Sequence, residues 1–183
     1  MILNNKLLNT PTTPFDFDNP PIDPKELVDQ LATLMIQSKG VGLSANQVGL
    51  PYSVFVMGNP GDRESIIPVF NPNITNYSEE TEYGEEGCLS FPGLYVQIKR
   101  SKDIRARMTM ITGEIDTAKF TGYTARLFQH EYDHIKGVDF RKRATRYHME
   151  KAMKNMKLME RKRKRNAKFP SPLIKSELRP SIT

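Results

Sequence analysis

His130-Glu131-Tyr132-Asp133-His134 sets two histidines four residues apart. On a helix that spacing puts both on one face, about 40° apart around the axis. Both imidazoles then reach a single metal ion, with Glu131 on the intervening turn beside it. The chain has three histidines, and two of them lie in this pentapeptide, so the stretch reads as a metal centre rather than a solvated helix face. The surrounding residues, Tyr123 to Lys136, carry a helical pattern with Gly137 as the expected C-terminal stop, and Leu127, His130, Glu131 and His134 share one side.

Upstream of this helix the pattern is one of strands. Tyr52 to Met57, Ile66 to Phe70 and Leu94 to Lys99 read as strands. Ile104, Ala106, Met108 and Met110 alternate with polar residues, and Thr112-Gly113-Glu114 turns that run into a hairpin with Ile115 to Phe120. An earlier helix has Asp23 as N-cap, Pro24 as N1 and Glu26 as N3. Its apolar face is Leu27, Leu31, Leu34 and Met35, and Gly40 is its expected stop. The first twenty-odd residues are rich in Pro and Asn and read as irregular. Strands followed by a ligand-bearing helix, without βαβ alternation, predict an α+β fold, with antiparallel sheets packed around the central metal-motif helix. A last helix, Thr145 to Arg165, carries Tyr147, Met149, Met153, Met156 and Met159 among lysines and arginines, and its methionines are expected to dock it loosely on the body. The expected organisation is a catalytic domain over 1–144, a basic helix over 145–168 and a flexible tail over 169–183.

At 183 residues the chain is long enough for one domain with a proper core. No run approaches the ~18 apolar residues of a membrane span, and Met1 to Lys6 lacks the layout of a signal peptide. A single cysteine makes no internal disulfide. Cytoplasm, or the equivalent compartment of a host cell or organelle, is the expected location, and a monomer the expected state. The net charge of +6 is uneven: Arg141 to Lys168 holds 13 Lys/Arg against Glu150 and Glu160, so the rest of the chain is net acidic. Such a basic appendage points to a polyanionic partner, RNA or phospholipid.

Two histidines leave a catalytic metal site one ligand short. The candidates are a downstream carboxylate, His148, or Cys88 in Glu85-Glu86-Gly87-Cys88-Leu89-Ser90. Spacing alone leaves Cys88 balanced between ligand and buried structural cysteine. A glycine-rich stretch, Gly40-Val41-Gly42-Leu43-Ser44-Ala45-Asn46-Gln47, does not end as a phosphate-binding loop does. Its glycines allow close backbone approach to a ligand, and Gln47 is placed to donate its amide to an oxyanion.

In this order the three elements resemble the peptide deformylase family, whose motifs are G-x-G-x-A-A-x-Q, E-G-C-L-S and Q-H-E-x-D-H. Here they read Gly40 to Gln47, Glu86-Gly87-Cys88-Leu89-Ser90 and Gln129-His130-Glu131-Tyr132-Asp133-His134. The second and third match in full, and the first departs at Ser44, where the family usually has alanine, a change expected to leave the backbone path intact. The resemblance implies removal of the formyl group from N-terminal formyl-methionine of nascent chains. It also implies that Cys88 is the third ligand beside His130 and His134. The metal would acidify a water and polarise the formyl oxygen, with Glu131 as general base and then acid. Gln47 and the backbone N–H of Leu89 would stabilise the oxyanion, each donor worth about 3–4 kcal/mol. The methionine pocket would draw on Val41, Gly42, Tyr123 and Leu127, with Glu86 and Gly87 beside it. Substrate backbone would add as a strand near Gly42 and a turn at Gly84. Gln129 and Asp133 would orient ligands. Glu86 would fix the cysteine turn through Arg100 or Arg105, or else be a solvated charge. The metal is divalent, with Fe(II) favoured and Zn(II), Ni(II) or Co(II) as alternatives. Arg161-Lys162-Arg163-Lys164-Arg165 would face ribosomal RNA.

Two other classes compete. A zinc endopeptidase would use the same two histidines with a carboxylate or histidine as third ligand. An RNA- or ribosome-binding module with a structural metal would need four protein ligands and would leave Glu131 without a role.

Overall fold

The structure is a computed structural model and describes residues 6–168; the tail expected from Phe169 onward lies outside the described residues. After an irregular opening segment, α1 spans Pro24–Gln37. The Asp23 carboxylate accepts from the backbone N–H groups of Lys25 and Glu26, both at 2.9 Å, and Pro24 fills the first turn. The helix does not stop on Gly40. Lys39 carries the left-handed conformation instead (φ 55°), and Gly40 serves close packing, since a Cβ there would sit 2.5 Å from Leu89 Cδ1.

Among the described residues seven strands follow: β1 Gly42–Ser44, β2 Val54–Met57, β3 Ile67–Tyr77, β4 Thr81–Cys88, β5 Phe91–Ser101, β6 Asp103–Thr109 and β7 Ile115–Thr121. All pairings between these strands are antiparallel. Five strands form one sheet in the order β1-β2-β3-β6-β7, and β4 with β5 forms a separate hairpin. The central helix α2, Gly122–Ile135, follows β7 directly. Because side chains alternate along a strand, β2 buries both faces. Phe55 and Met57 pack with Phe128 and Ile135 of α2, whereas Val54 and Val56 pack with Leu27, Leu31 and Met35 of α1. The five-stranded sheet is therefore sandwiched between α1 and α2. The β4–β5 hairpin lies across the other side of α2, and α2 is buried nearly all round, including Arg126, Gln129 and Asp133.

β1 and β4 had no strand signal. β1 is only three residues long, and Thr81–Cys88 contains two glycines and three glutamates, so no apolar alternation marks it. It is a strand through its pairing with β5, from Thr81↔Ser101 to Gly87↔Tyr95. α2 ends at Gly137 (φ +66°), whose N–H donates to His134 O while Val138 N–H donates to Asp133 O. The last helix, α3, spans Arg146–Lys168. Met149, Ala152 and Met156 lie against Leu94, Val96 and Ile98 of β5. The docking face is narrower than expected, because Tyr147, Met153 and Met159 face solvent. Among the described residues no helix is long and apolar enough to cross a membrane.

Candidate active site and metal centre

His130 and His134 sit one turn apart on α2, with ring centroids 5.1 Å apart. The β4–β5 register slips between Gly87 and Cys88, a bulge of the kind that re-aims a side chain. It brings Cys88 Sγ to 3.3 Å from His134 Nε2. The ligand atoms of Cys88, His130 and His134 all fall within 4.8 Å of one another. His148 does not join them; its Nδ1 is 3.1 Å from Thr145 Oγ1 and its ring stacks edge-on with Tyr83.

A thiolate and two imidazoles are a donor set for a divalent late transition metal, and three structural features fit one. His130 Nδ1 is 3.0 Å from Glu86 Oε2, which fixes the ring and leaves Nε2 as its ligand atom. Asn46 Nδ2 donates to the His134 carbonyl at 2.7 Å, anchoring that turn of the helix. The local field favours a cation: burial opposes charge on His130, yet the neighbouring Cys88 and Glu86 overcome it and push its pKa up to about 10. His134 goes the other way, held neutral by burial and then by the charge on His130.

Glu86 is the hub of this support. Arg100 grips it with a two-point fork, Nε to Oε1 and Nη2 to Oε2, both 2.9 Å, and Arg126 Nη1 donates to Oε1 at 3.0 Å. Burial alone would raise the Glu86 pKa, but Arg100 and His130 bring it down to about 2. Arg100 is thus the partner of Glu86; Arg105 lies on β6 opposite Lys119. The Asp133 carboxylate is bound by arginines. It accepts from Arg100 Nη1 at 2.6 Å and from Arg143. Gln129 Nε2 donates to Ser101 O and Ala125 O, tying α2 to β5.

Glu131 is buried beside the three ligands. Ser44 Oγ donates to its Oε2 at 2.7 Å, and a Cβ on Gly42 would fall against Oε1 and 2.8 Å from Cδ. Only glycine leaves room for this carboxylate. Burial raises the Glu131 pKa, while His130 and the Ser44 hydrogen bond hold it back. Across the site, Gln47 Oε1 accepts from Ser44 N–H at 2.9 Å, which turns its Nε2 towards Cys88 Sγ (3.5 Å) and Ser90 Oγ (3.1 Å).

Gln47, Cys88, His130 and Glu131 face one cavity of about 440 Å³. Val41, Gly42, Gln47, Glu86, Gly87, Leu89, Tyr123, Leu127, His130 and Glu131 all line it. Gly84 is not at a turn but within β4, where it makes room for the guanidinium of Arg126; a Cβ there would lie 2.6 Å from Arg126 Cζ. Sequence reasoning missed Ser44 as a partner of Glu131, Arg126 as a partner of Glu86, and Arg143. A signal existed for Arg126 alone, because it lies four residues before His130 on the same helix face.

A model of the polypeptide deformylase family matches residues 1–150. Peptide deformylase 1B, chloroplastic/mitochondrial, of Arabidopsis thaliana is 38% identical over 151 residues; the match covers 81% of this chain and 55% of that protein, so the chain spans little more than half of that relative. Peptide deformylase of Thermotoga neapolitana is 44% identical over 116 residues, covering 62% of this chain and 68% of that protein. The crystal structure of plant peptide deformylase PDF1B superposes with a TM-score of 0.78 at 33% identity, over 93% of this chain and 94% of that one.

Proposed function

The chain belongs to the polypeptide deformylase family, and we propose that it hydrolyses the formyl group from N-terminal formyl-methionine of nascent polypeptides, releasing formate. The observation that carries this reading is the convergence of Glu131, Gln47, Cys88 and His130 on one cavity, with the His134 ligand atom within 4.8 Å of those of Cys88 and His130.

Cys88, His130 and His134 would hold a divalent metal, Fe(II) before Zn(II), Ni(II) or Co(II). When bound, that metal supplies a Lewis acid that acidifies water and polarises the formyl oxygen. The chain's own residues do the rest. Glu131 takes the proton of the attacking water and hands it to the leaving amine. With Oε2 tied to Ser44, Oε1 is the oxygen available to carry that proton. Burial lifts the carboxylate pKa from its ordinary value, which brings it nearer to the working pH of a base that must also act as an acid. Gln47 Nε2 and the Leu89 N–H stabilise the oxyanion. Val41, Gly42, Tyr123 and Leu127 accept the methionine side chain, and substrate backbone pairs alongside Gly42 of β1.

The protein acts as a monomer in the cytoplasm or its equivalent. Arg161 to Arg165, at the exposed end of α3, would contact ribosomal RNA. The test is formate release from formyl-Met-Ala-Ser by protein loaded anaerobically with Fe(II). Turnover supports the reading. Absence of formate from folded, metal-replete protein, or proteolysis of an unformylated peptide by a Cys88→Ala variant, would overturn it in favour of a peptidase.

A further inference from the structure

We propose that Arg143 is a positioning residue for His130, acting through Asp133, Arg100 and Glu86; this rests on the reading of Cys88, His130 and His134 as metal ligands.

The contacts form an unbroken chain. Arg143 Nη2 donates to Asp133 Oδ1 at 2.6 Å, and its Nε lies 3.2 and 3.1 Å from the two carboxylate oxygens. Asp133 Oδ2 accepts from Arg100 Nη1, Arg100 forks onto Glu86, and Glu86 Oε2 holds His130 Nδ1. Asp133, Arg100, Glu86 and His130 are all buried. Arg143 is the outer end, with 49% of its side chain exposed. A cavity of about 330 Å³, lined by Arg100, Asp133 and Arg143 with Tyr77, Lys99 and Tyr132, brings solvent to that end.

An exposed arginine paired with an exposed carboxylate contributes little. This pair differs because the acceptor is buried and shares its other oxygen with the cation that braces the metal ligand. Three guanidiniums (Arg100, Arg126, Arg143) serve two carboxylates (Glu86, Asp133). Arg143 gives Asp133 a cation of its own. Without it, Asp133 Oδ1 loses the hydrogen bonds described for it, and a buried carboxylate in a low-dielectric setting pulls on the nearest remaining cation, Arg100. Arg100 has one planar fork. Turning it towards Asp133 opens the two-point grip on Glu86, and Glu86 is the group that sets the His130 ring.

Arg143 ends the short turn Phe140–Arg143 that joins α2 to α3. The turn is seated by Phe140, which is buried against β5 and 5.5 Å from the His130 ring. The root of the basic helix is therefore tied to the orientation of a metal ligand.

The experiment measures withdrawal of Co(II) by a chelator from the Co(II)-loaded full-length chain, together with the Co(II) visible spectrum and the kinetic constants. Arg143→Ala should give up Co(II) about tenfold more readily, the low end of what loss of an orienting partner costs. Its spectrum should change and kcat should fall with KM within twofold. Arg143→Lys, which restores the charge without the fork, should fall between Arg143→Ala and the parent. Lys142→Ala, in the same turn and exposed, should match the parent. Arg143→Ala holding Co(II) like the parent, or Lys142→Ala losing it equally, would overturn the proposal. A Cys88→Ala variant that retained Co(II) like the parent would instead sink the metal-ligand reading itself.

Discussion

Ser44 Oγ and Glu131 Oε2 are 2.7 Å apart, joined by a buried hydrogen bond between residues 87 positions apart in the chain. Ser44 thus touches the group assigned as the general base. A hydrogen bond to the charged form of a carboxylate favours that form and lowers its pKa.

Ser44→Ala removes that donor. Glu131, already raised by burial, rises further, so the acidic limb of the kcat/KM profile moves to higher pH. At neutral pH activity falls a few-fold, by about 1 kcal/mol, the scale of a single hydrogen bond. Profiles of formate release against pH for parent and variant check this, and coincident acidic limbs contradict it.

Glu86→Gln unsettles two buried arginines and the brace on His130 at once. Stability should drop by about 3–5 kcal/mol, as when one partner of a buried pair is removed, and metal affinity by about 10–100-fold. The pH dependence has a definite sign. With its pKa lowered from 4.5 to about 2, Glu86 contributes fully above the ordinary carboxylate value, and the contribution disappears as pH falls through about 2. Urea titrations between neutral and acid pH should show the parent losing stability over that range and the variant losing less.

Much of this arrangement could be read from the chain, and the part that could not has a common cause. Asp23-Pro24 announces a helix start, and His130 and His134 announce a shared face, because both signals are local. Thr81–Cys88 carries no strand signal: the pairing of Glu86 with Arg100 is expected only through the family resemblance, and Gly84 acquires its role from Arg126 on another element. Ser44 has the same character. Read locally it is a small residue for a small residue, and its hydroxyl matters only once α2 lies across β1. Arg143 reads as one cation in a basic stretch until Asp133 is buried beneath it.

Metal binding should displace a proton. Against the effect of burial, the neighbouring Cys88 and Glu86 push the His130 pKa up, and a metal needs the neutral imidazole. Apparent Co(II) affinity should therefore rise with pH by about tenfold per unit for each proton displaced. Calorimetry in two buffers of different ionisation enthalpy reads the proton count directly. An affinity independent of pH between 6 and 8 contradicts the assignment of His130.

Removing the chain from Arg161 onward takes away the basic cluster but keeps Met149, Ala152 and Met156, which dock α3 on β5. Hydrolysis of a free formyl-peptide should be unchanged. Ribosome binding should weaken, and its dependence on salt should become shallower as phosphate contacts are lost. Sedimentation with ribosomes over a salt series checks it, and equal binding by both chains refutes a ribosomal role for the cluster.

The central claim is that Glu131 moves the proton at a site whose metal is held by other residues. Formate release from formyl-Met-Ala-Ser by the Fe(II)-loaded parent should be compared with that of Glu131→Gln, with iron content measured in both. Glu131→Gln should lose about 10² or more in kcat with iron retained. Turnover by Glu131→Gln at the parent's rate, with the metal in place, would contradict it.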